Sequence, residues 1–382
     1  MEAPLPRTTG PAVLIGTAAL PLALLAGCTS TDAGDRSPPA ANPSSAADAI
    51  RKVDEVVLRE TDSVYVGRPI GTVIGPDGTL YVSDDVEDRV VSFTRTGELS
   101  RTYGRLGHGP GELTAPSRLG MVGDSVLLVA DGGRAQVTAY DVTSGAYLYD
   151  VRIVLGTGGG MGAIRTRHDT VWMGARDLRR QTGVVTWSAT DPTARPIVAF
   201  PPIYRTSRAV AITYSYILAP PLGDSLLVSY YASPELLLTD LQGHVRRTLR
   251  IPTVRRRAIA PDLDRRYREA RTADERARLV PLLAEAHQLS SGTIALVSYD
   301  IDWPGQVPLR RAWVILLAPD LQRGCLDLPL PLSRDGMGQV AFHGDTLVTL
   351  EQEVHELGVR LVSRRYVVDE DACPWQPLAP PS

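Results

Sequence analysis

The chain has 382 residues, of which 43% are hydrophobic and 22% are charged. This composition is that of an ordinary globular protein and excludes extensive disorder. The net charge of −3 at pH 7 excludes a strong overall field that would draw the molecule to nucleic acid or anionic lipid, so any basic surface must be local. The length does not require two domains, because folds built from repeated β units often exceed the usual domain size.

Residues 1–27 have the organisation of an export signal. Residues 11–26 form an apolar run after Arg7, about as long as a signal-peptide core and shorter than a membrane span of about 20 residues. The run ends in Leu25-Ala26-Gly27-Cys28, which resembles the lipobox of bacterial lipoproteins. The resemblance implies that Cys28 is acylated, with palmitate as a typical chain, and becomes the first mature residue. The alternative is a plain secretory signal cleaved near Ala26.

Residues 28–50 are mostly small and polar, without an apolar period, and are predicted to form a disordered tether. About 20 such residues span roughly 25 Å, which would hold a domain just off a membrane surface. The folded domain is predicted over residues 51–375, and residues 376–382 are predicted to form a disordered tail.

One pattern recurs six times after the tether: a turn containing Asp or Gly, followed by a short apolar strand. The six units begin at Asp77-Gly78, Gly123-Asp124, His168-Asp169, Gly223-Asp224, Ser291-Gly292 and Gly344-Asp345. The first four turn aspartates are separated by 47, 45 and 55 residues, near the roughly 40 to 50 residues of a four-stranded propeller blade. The pattern predicts an all-β, six-bladed β-propeller. Seven blades with one degenerate blade, or two β-sandwiches, are the alternatives.

A small helical insertion, over about residues 258–289, is predicted to lengthen the interval before the fifth unit. Thr272 and Glu275 fit a capping box, and Pro281 is expected to kink or split the helix. The apolar residues at helical spacing are Leu279, Leu282, Leu283, Ala286 and Leu289.

The first unit, residues 76–104, resembles an NHL-type propeller repeat, and residues 107–116 are similar to the link between blades in bacterial six-bladed propeller lipoproteins. The second unit keeps this outline in residues 129–145. Closing the ring requires pairing between the chain ends, and residues 55–66 are predicted to supply the outer strand of the last blade beside Arg360 to Val368.

With Cys28 assigned to lipid, Cys325 and Cys373 remain as an even pair in an exported chain. A disulfide between them is predicted, closing a loop of about 50 residues and stabilising the fold by roughly 3 to 4 kcal/mol. The alternative is two buried thiols too far apart to bridge.

The sequence offers little support for catalytic or metal chemistry. No two histidines have metal-ligand spacing, and the glycine-rich residues 156–162 lack the Lys-Ser/Thr of a phosphate loop. No Gly-x-Ser-x-Gly elbow is present either. The acidic cluster of Asp84, Asp85, Glu87 and Asp88 could attract calcium, but its spacing matches no EF-hand. We therefore predict no catalytic residue, no metal site and no cofactor.

Residues 246–278 contain twelve arginines and five acidic residues, and they form the one strongly basic region. The predicted basic binding surface consists of Arg255, Arg256, Arg257, Arg265 and Arg266. It could meet anionic lipid, polysaccharide or an acidic protein. The alternative is a solvated helix face. Aromatic residues could line a ligand surface or form core: Trp172, Trp187, Tyr214, Tyr216, Tyr230 and Tyr231.

Two functions remain open. The first is an extracytoplasmic module, lipid-anchored to a bacterial membrane, that binds an envelope protein, peptide or glycan as a monomer. The second is an envelope lyase or hydrolase with its site at the central channel. The absence of strong catalytic motifs favours binding, and export disfavours nucleic acid as a partner.

Overall fold

A computed structural model describes residues 48–378 except 154–160, 178–180, 200–214, 219–222, 231–234, 254–261, 272–274, 276–278, 280–281, 303–308, 333–338 and 356–357. The chain divides into units of residues 1–40 and 41–382, and all described residues belong to the second. No helix within the described ranges is long and apolar enough to cross a membrane.

The second unit contains six antiparallel sheets, which are the six predicted blades. Blade 1 contains β2 (Pro69–Ile74), β3 (Leu80–Asp84), β4 (Arg89–Phe93) and β5 (Leu99–Tyr103). Blade 2 contains β6 (Pro116–Val122), β7 (Val126–Asp131), β8 (Gln136–Asp141) and β9 (Tyr147–Arg152). Blade 3 contains β10 (Met161–Arg167), β11 (Thr170–Asp177), β12 (Thr182–Ser188) and β13 (Asp191–Ala199).

Blade 4 contains β14 (Ser215–Leu218), β15 (Ser225–Tyr230), β16 (Glu235–Asp240) and β17 (Val245–Arg250). Blade 5 contains β18 (Leu282–Gln288), β19 (Ile294–Asp302), β20 (Leu309–Leu317), β21 (Arg323–Leu330) and β25 (Gln376–Pro377). Blade 6 contains β22 (Gln339–His343), β23 (Thr346–His355) and β24 (Gly358–Val368), with β1 (Ile50–Val57) as its outer strand.

The first strands of successive blades contact one another around a ring, from β2 through β6, β10, β14, β18 and β22 back to β2. The six predicted turns all join the first strand of a blade to its second strand. We call the side with these turns the lower face. The opposite side, where the second and third strands are joined and the chain passes to the next blade, is the upper face.

The core lies between adjacent blades, because the middle strands are covered on both sides. All five residues of β3 are buried, and five of the six residues of β7 are buried. Such runs of consecutive buried residues are expected for strands covered on both faces. Radial stacking therefore buries the surface that a single blade would leave exposed.

Two strands were predicted to pair and close the ring. One is confirmed, and the other begins earlier in the chain than predicted. The predicted partner, β24, is confirmed, since Ile50 pairs with Val368 and Val57 with Val362. The predicted outer strand at residues 55–66 is correct over residues 55–57 and wrong over 58–66, because the strand is Ile50–Val57. Beyond the strand, the Leu58 N–H still donates to the Leu361 carbonyl at 2.9 Å, and Leu58 and Val66 are buried in the apolar cluster between blades 6 and 1. Ile50, which was assigned to the tether, is buried in the core.

A buried ion cluster stabilises the closing sheet. Arg364 of β24 pairs with Glu351 of β23 at 2.9 Å and with Glu55 of β1 at 3.0 Å, and it also pairs with Glu353. The Arg364 side chain is 10% exposed, and that of Glu351 is 1% exposed. Removing one member of such a cluster leaves an uncompensated buried charge, which is strongly destabilising.

The predicted helical insertion is much shorter in the structure. Helix α1 spans Leu263–Glu269, in the link between β17 and β18. Residues 282–288 form strand β18, so the predicted helix is wrong over this range. Pairing with β19 along the whole of this range, from Leu282 with Tyr299 to Gln288 with Ile294, makes it a strand in spite of its helix-like apolar spacing. Thr272 and Pro281 lie outside the described residues.

The C-terminal segment joins blade 6 to blade 5. The predicted disulfide between Cys325 of β21 and Cys373 is confirmed, with Cα atoms 5.8 Å apart. The disordered tail predicted from residue 376 is wrong at its start, because β25 pairs with Arg323 and Gly324 and the Leu378 N–H donates to Gln322 at 2.7 Å.

Removing this disulfide should destabilise the propeller by roughly 3 to 4 kcal/mol, because the unfolded chain regains the entropy of an open loop. We expect the double variant Cys325→Ser/Cys373→Ser to lose this amount in urea unfolding. Reduction should give the same loss in the native chain and no change in the double variant. An equal unfolding free energy in all samples would contradict the assignment.

Candidate binding face and central channel

Asp84, the first residue of the acidic cluster, is the last residue of β3 and is fully buried. Its carboxylate accepts hydrogen bonds from the backbone N–H groups of Gly67 at 2.8 Å, Arg68 at 3.0 Å and Val86 at 3.1 Å. These bonds fix the segment that enters blade 1 and the turn that leaves β3. Asp84 is a structural anchor of the upper face.

Asp131 has the same role in blade 2. It is fully buried at the end of β7 and accepts from the N–H groups of Thr114, Ala115 and Gly133, each at 3.1 Å. The residue four positions after each aspartate, Asp88 or Ala135, has a positive φ of 49° or 53°. An aspartate at the end of an apolar strand, five positions before the next strand begins, is the sequence signal that could have revealed this anchor.

Two further members of the acidic cluster have protein partners. Asp85 pairs with Arg68 at 2.6 Å, and Glu87 accepts from the Tyr65 hydroxyl at 2.7 Å. Burial, followed by the neighbouring charge of Asp131, raises the pKa of Asp88. Within the described ranges, no three His, Cys, Asp or Glu side chains are grouped so that they could hold a metal ion.

The hairpin of β23 and β24 is the longest in blade 6 and carries an exposed apolar pair at its upper end. These strands have 10 and 11 residues, whereas β3 and β4 of blade 1 have five each. Val354 and Val359 are paired across the hairpin and are 67% and 56% exposed.

Blade 1 carries exposed apolar side chains at the same end, next to a hydrogen bond from blade 6. The Gln352 side-chain amide donates to the Gly67 carbonyl at 3.2 Å, and a Cβ on Gly67 would lie 3.0 Å from the Cβ of Val86. Val86 is 54% exposed and Tyr65 is 45% exposed. We call this surface the notch, and it consists of Tyr65, Gly67, Val86, Gln352, Val354 and Val359. The sequence did not indicate any of these residues as part of a binding site, because isolated valines in a β-rich chain are typical of the buried core.

The predicted basic surface is only partly within the described residues. Arg255, Arg256 and Arg257 lie outside them, whereas Arg265 and Arg266 are exposed on α1. Arg265 pairs with two carboxylates of the same region, those of Asp262 at 2.7 Å and Glu269 at 3.0 Å. A binding role for this surface stays a prediction.

The aromatic candidates do not form one surface in the described structure. Trp172 and Trp187 are buried core residues, 3% and 4% exposed. Tyr216 lies on β14 and Tyr230 on β15. Tyr214, Tyr231 and the lipid-anchor candidate Cys28 lie outside the described residues.

An ion pair joins two non-adjacent blades through the ring of first strands. Arg165 of β10 in blade 3 pairs with Glu285 of β18 in blade 5, and its guanidinium also donates to the Ala286 carbonyl at 3.0 Å. Blade 4 lies between these two blades along the chain. The pair therefore bridges the centre of the ring, a contact that the sequence could not predict because the partners are 120 positions apart.

Next to this pair, His287 joins blade 5 to blade 6. Its Nε2 lies 2.9 Å from the Gly344 carbonyl, and its ring stacks on Phe342 with centroids 4.6 Å apart. Burial, and then the positive charge of Arg165, lowers the pKa of His287 to about 4. The imidazole is therefore neutral at pH 7, with Nε2 as the donor to Gly344.

Similar hydrogen bonds between neighbouring blades recur around the lower face. His343 Nε2 lies 3.1 Å from the Pro76 carbonyl of blade 1, and Arg167 donates to the Gly223 carbonyl of blade 4 at 2.9 Å. In each case a side chain near the end of a first strand reaches the turn of the next blade. The first strands of the blades are thus held together by hydrogen bonds and an ion pair as well as by apolar packing.

Comparison with family models finds no match, and comparison with curated proteins finds none either. Solved structures match closely enough to show the fold. A member of the DUF4221 family from Bacteroides vulgatus gives a TM-score of 0.55 at 10% identity, covering 84% of this chain and 98% of that one. A streptogramin B lyase gives a TM-score of 0.50 at 10% identity, covering 84% and 99%. The chain is a six-bladed β-propeller.

The depressed pKa of His287 makes stability depend on pH. The unfolded imidazole, with a pKa near 6.5, binds a proton that the folded one does not, so stability falls as pH drops from about 6.5 towards 4. Between pH 7.5 and pH 5 we expect this residue to cost about 2 kcal/mol of unfolding free energy.

Urea unfolding at these two pH values measures the loss. His287→Asn keeps a donor near Gly344 but does not titrate, so its unfolding free energy should fall by about 2 kcal/mol less than that of the native chain. His108, which is exposed in the link between blades 1 and 2, provides the control variant His108→Asn. Parallel losses in the native chain and His287→Asn would contradict the shifted pKa.

Proposed function

We propose that this protein is a bacterial lipoprotein, acylated on Cys28, whose propeller binds an envelope protein, peptide or glycan at its upper face. The apolar run at residues 11–26 and the lipobox-like Leu25-Ala26-Gly27-Cys28 support export and anchoring. The Cys325–Cys373 disulfide agrees with an oxidising extracytoplasmic compartment. The first two blades are assigned to the NHL type, and the module acts as a monomer.

The notch is the observation that supports binding. Soluble proteins rarely expose contiguous apolar surface unless it contacts another molecule. Val354, Val359, Val86 and Tyr65 place such surface between two blades, and the Arg68–Asp85 pair lies at its edge. Because Asp84 fixes the backbone of Gly67 and Val86, the surface is preorganised and loses little entropy on binding.

The position of β1 supports the same assignment. The chain enters β1 at Ile50, which pairs with the lower end of β24, so a tether would join the disc at its lower face. The notch lies at the other end of these strands. Eight residues of β1 span roughly 25 Å, which leaves the notch accessible beyond an anchored disc.

A second candidate, an envelope lyase or hydrolase, is favoured by the ionisable groups at the centre of the ring. Arg165, Glu285 and His287 are the convergent set that such a site needs. Each of them is already bonded to a neighbouring strand or turn, an arrangement that suits a structural tie between blades. We therefore assign the function to the notch.

Site-specific photocrosslinking in the producing cell tests the notch. A photoreactive amino acid at position 354 should give a discrete crosslinked product. The same amino acid at position 245 is the matched control, because Val245 is 53% exposed on the outer strand of blade 4. Val359→Asp should reduce the yield from position 354 at least about tenfold, since burying an unpaired charge opposes apolar contact.

Equal products from positions 354 and 245, or a product unaffected by Val359→Asp, would contradict binding at the notch. Retention of the product in Val359→Asp combined with its loss in Glu285→Gln would instead favour the channel. Urea unfolding of each variant separates loss of binding from loss of the fold.

The anchor has its own test. The intact mass of the membrane-fraction protein should correspond to a chain that begins at Cys28 with added acyl mass. Cys28→Ala should leave that fraction and lack the acyl mass, and Cys325→Ser/Cys373→Ser serves as the control that stays acylated. An unacylated, soluble native chain would contradict the lipoprotein assignment.

A further inference from the structure

A cleft between blades 6 and 1 opens on the lower face, at the far end of the strands from the notch. It encloses about 40 Å³. Blade 1 contributes the turn at Gly78 and the side chain of Arg95. Blade 6 contributes His343, Thr346, Ser363 and Arg365. A space of this size holds one small polar group or a few water molecules.

Arg95 is the cationic side chain of the cleft whose guanidinium can still bind an anion. It is exposed, and it makes no ion pair with any residue within the described ranges. Its aliphatic stem lies over the turn, because a Cβ on Gly78 would be 3.4 Å from the Arg95 Cδ. The φ of Gly78 is +85°, a conformation that favours glycine. The aliphatic part of the Arg95 side chain packs against this turn, which fixes its position.

Arg365 is held in place on the other wall. Its side chain is 17% exposed, and its guanidinium donates to Asp54 at 2.5 Å and to the Arg95 carbonyl at 2.9 Å. Asp54 compensates one of the two guanidinium charges, so the cleft keeps a net positive charge. The hydroxyls of Thr346 and Ser363 make no hydrogen bond to another residue in the described part of the chain, which leaves them available as donors.

A wider groove continues from the cleft along β1. It has a volume of about 520 Å³ and shares Arg95 and Arg365 with the cleft. Val56, Val57 and Thr96 also line it, together with Asp54, Glu55 and Arg59, so its three arginines outnumber its two carboxylates. Sites for small ligands in proteins are typically about 300 to 1,000 Å³ and combine apolar walls with a few directed polar groups.

We propose that the cleft binds the oxyanion of a small organic acid or phosphoester, whose body lies in the groove beside β1. Guanidinium groups bind carboxylates and phosphates through two parallel hydrogen bonds, and hydroxyl donors complete such sites. Arg95 supplies the uncompensated charge, Arg365 orients the opposite wall, and Thr346 and Ser363 donate from the floor. This site is separate from the notch and does not depend on binding there.

Calorimetric titration of the full chain with inorganic phosphate, and separately with acetate, tests the proposal. Ionic strength is kept constant with sodium chloride, so that general screening does not change. We expect the native chain to bind at least one of the two anions. Arg95→Gln should weaken that binding about tenfold or more, because a hydrogen bond to a charged group is lost.

Arg195→Gln is the matched control, because Arg195 is an exposed arginine on β13 of blade 3, remote from the cleft. Thr346→Val is a second variant, which should weaken binding without changing net charge. Phosphate binding alone would assign a phosphoester, and acetate binding alone would assign a carboxylic acid. No binding of either anion by the native chain, or equal binding by the native chain and Arg95→Gln, would overturn the proposal.

Discussion

The structure depends on the pairing of β1 with β24, because this ladder joins the N-terminal strand to the last blade and so closes the row of blades into a ring. Each blade has two faces to bury, and in an open row the two end blades would each expose one. Leu350 and Leu361 of blade 6 pack with Leu80 and Val82 of blade 1, so this apolar contact exists only when the ring is closed. The cluster around Arg364 spans β1, β23 and β24 and adds a charged constraint to the same sheet.

Closure then determines what each surface can do. Because blades 6 and 1 meet only through closure, both the notch and the oxyanion cleft are products of the joined chain ends. On the upper side, Gln352 and Asp84 hold the blade 6 hairpin and the entry to blade 1 together. On the lower side, Arg365 reaches from blade 6 to the Arg95 carbonyl of blade 1. The two proposed sites therefore occupy opposite ends of one interface.

Much of the fold could be predicted from short-range chemistry. Turns such as Asp77-Gly78 require a positive φ and side-chain bonds to the backbone, and the strands after them are apolar enough to be buried on both sides. The strand at residues 282–288 was not predictable in this way, because its apolar spacing fits a helix equally well and only pairing with β19 decides. The predicted N-terminal strand extended too far for a similar reason: Leu58 and Val66 fit an apolar strand pattern, but they lie beyond the end of β1 and pack in the cluster between blades 6 and 1.

The candidate sites were less predictable than the fold, because they consist of contacts between distant positions. The Cys325–Cys373 pair could be derived by counting, but Arg165 and Glu285 meet only after three blades have formed. Val354 lies near the end of the long strand β23, and Val86 lies in the turn after the much shorter β3. The sequence shows the residue types, whereas the lengths of neighbouring strands determine which of them are exposed.

The direction of β1 has a mechanical consequence. The chain enters β1 at Ile50 on the lower side and leaves at Val57 towards the upper side, while β24 runs the opposite way. A force applied through the residues before Asp48 and resisted by a load at the notch would pull β1 along its own axis. The inter-strand bonds lie across that axis, so the whole ladder would carry the force in shear and its bonds would not break one after another. The strand that closes the ring is thus oriented to resist extraction.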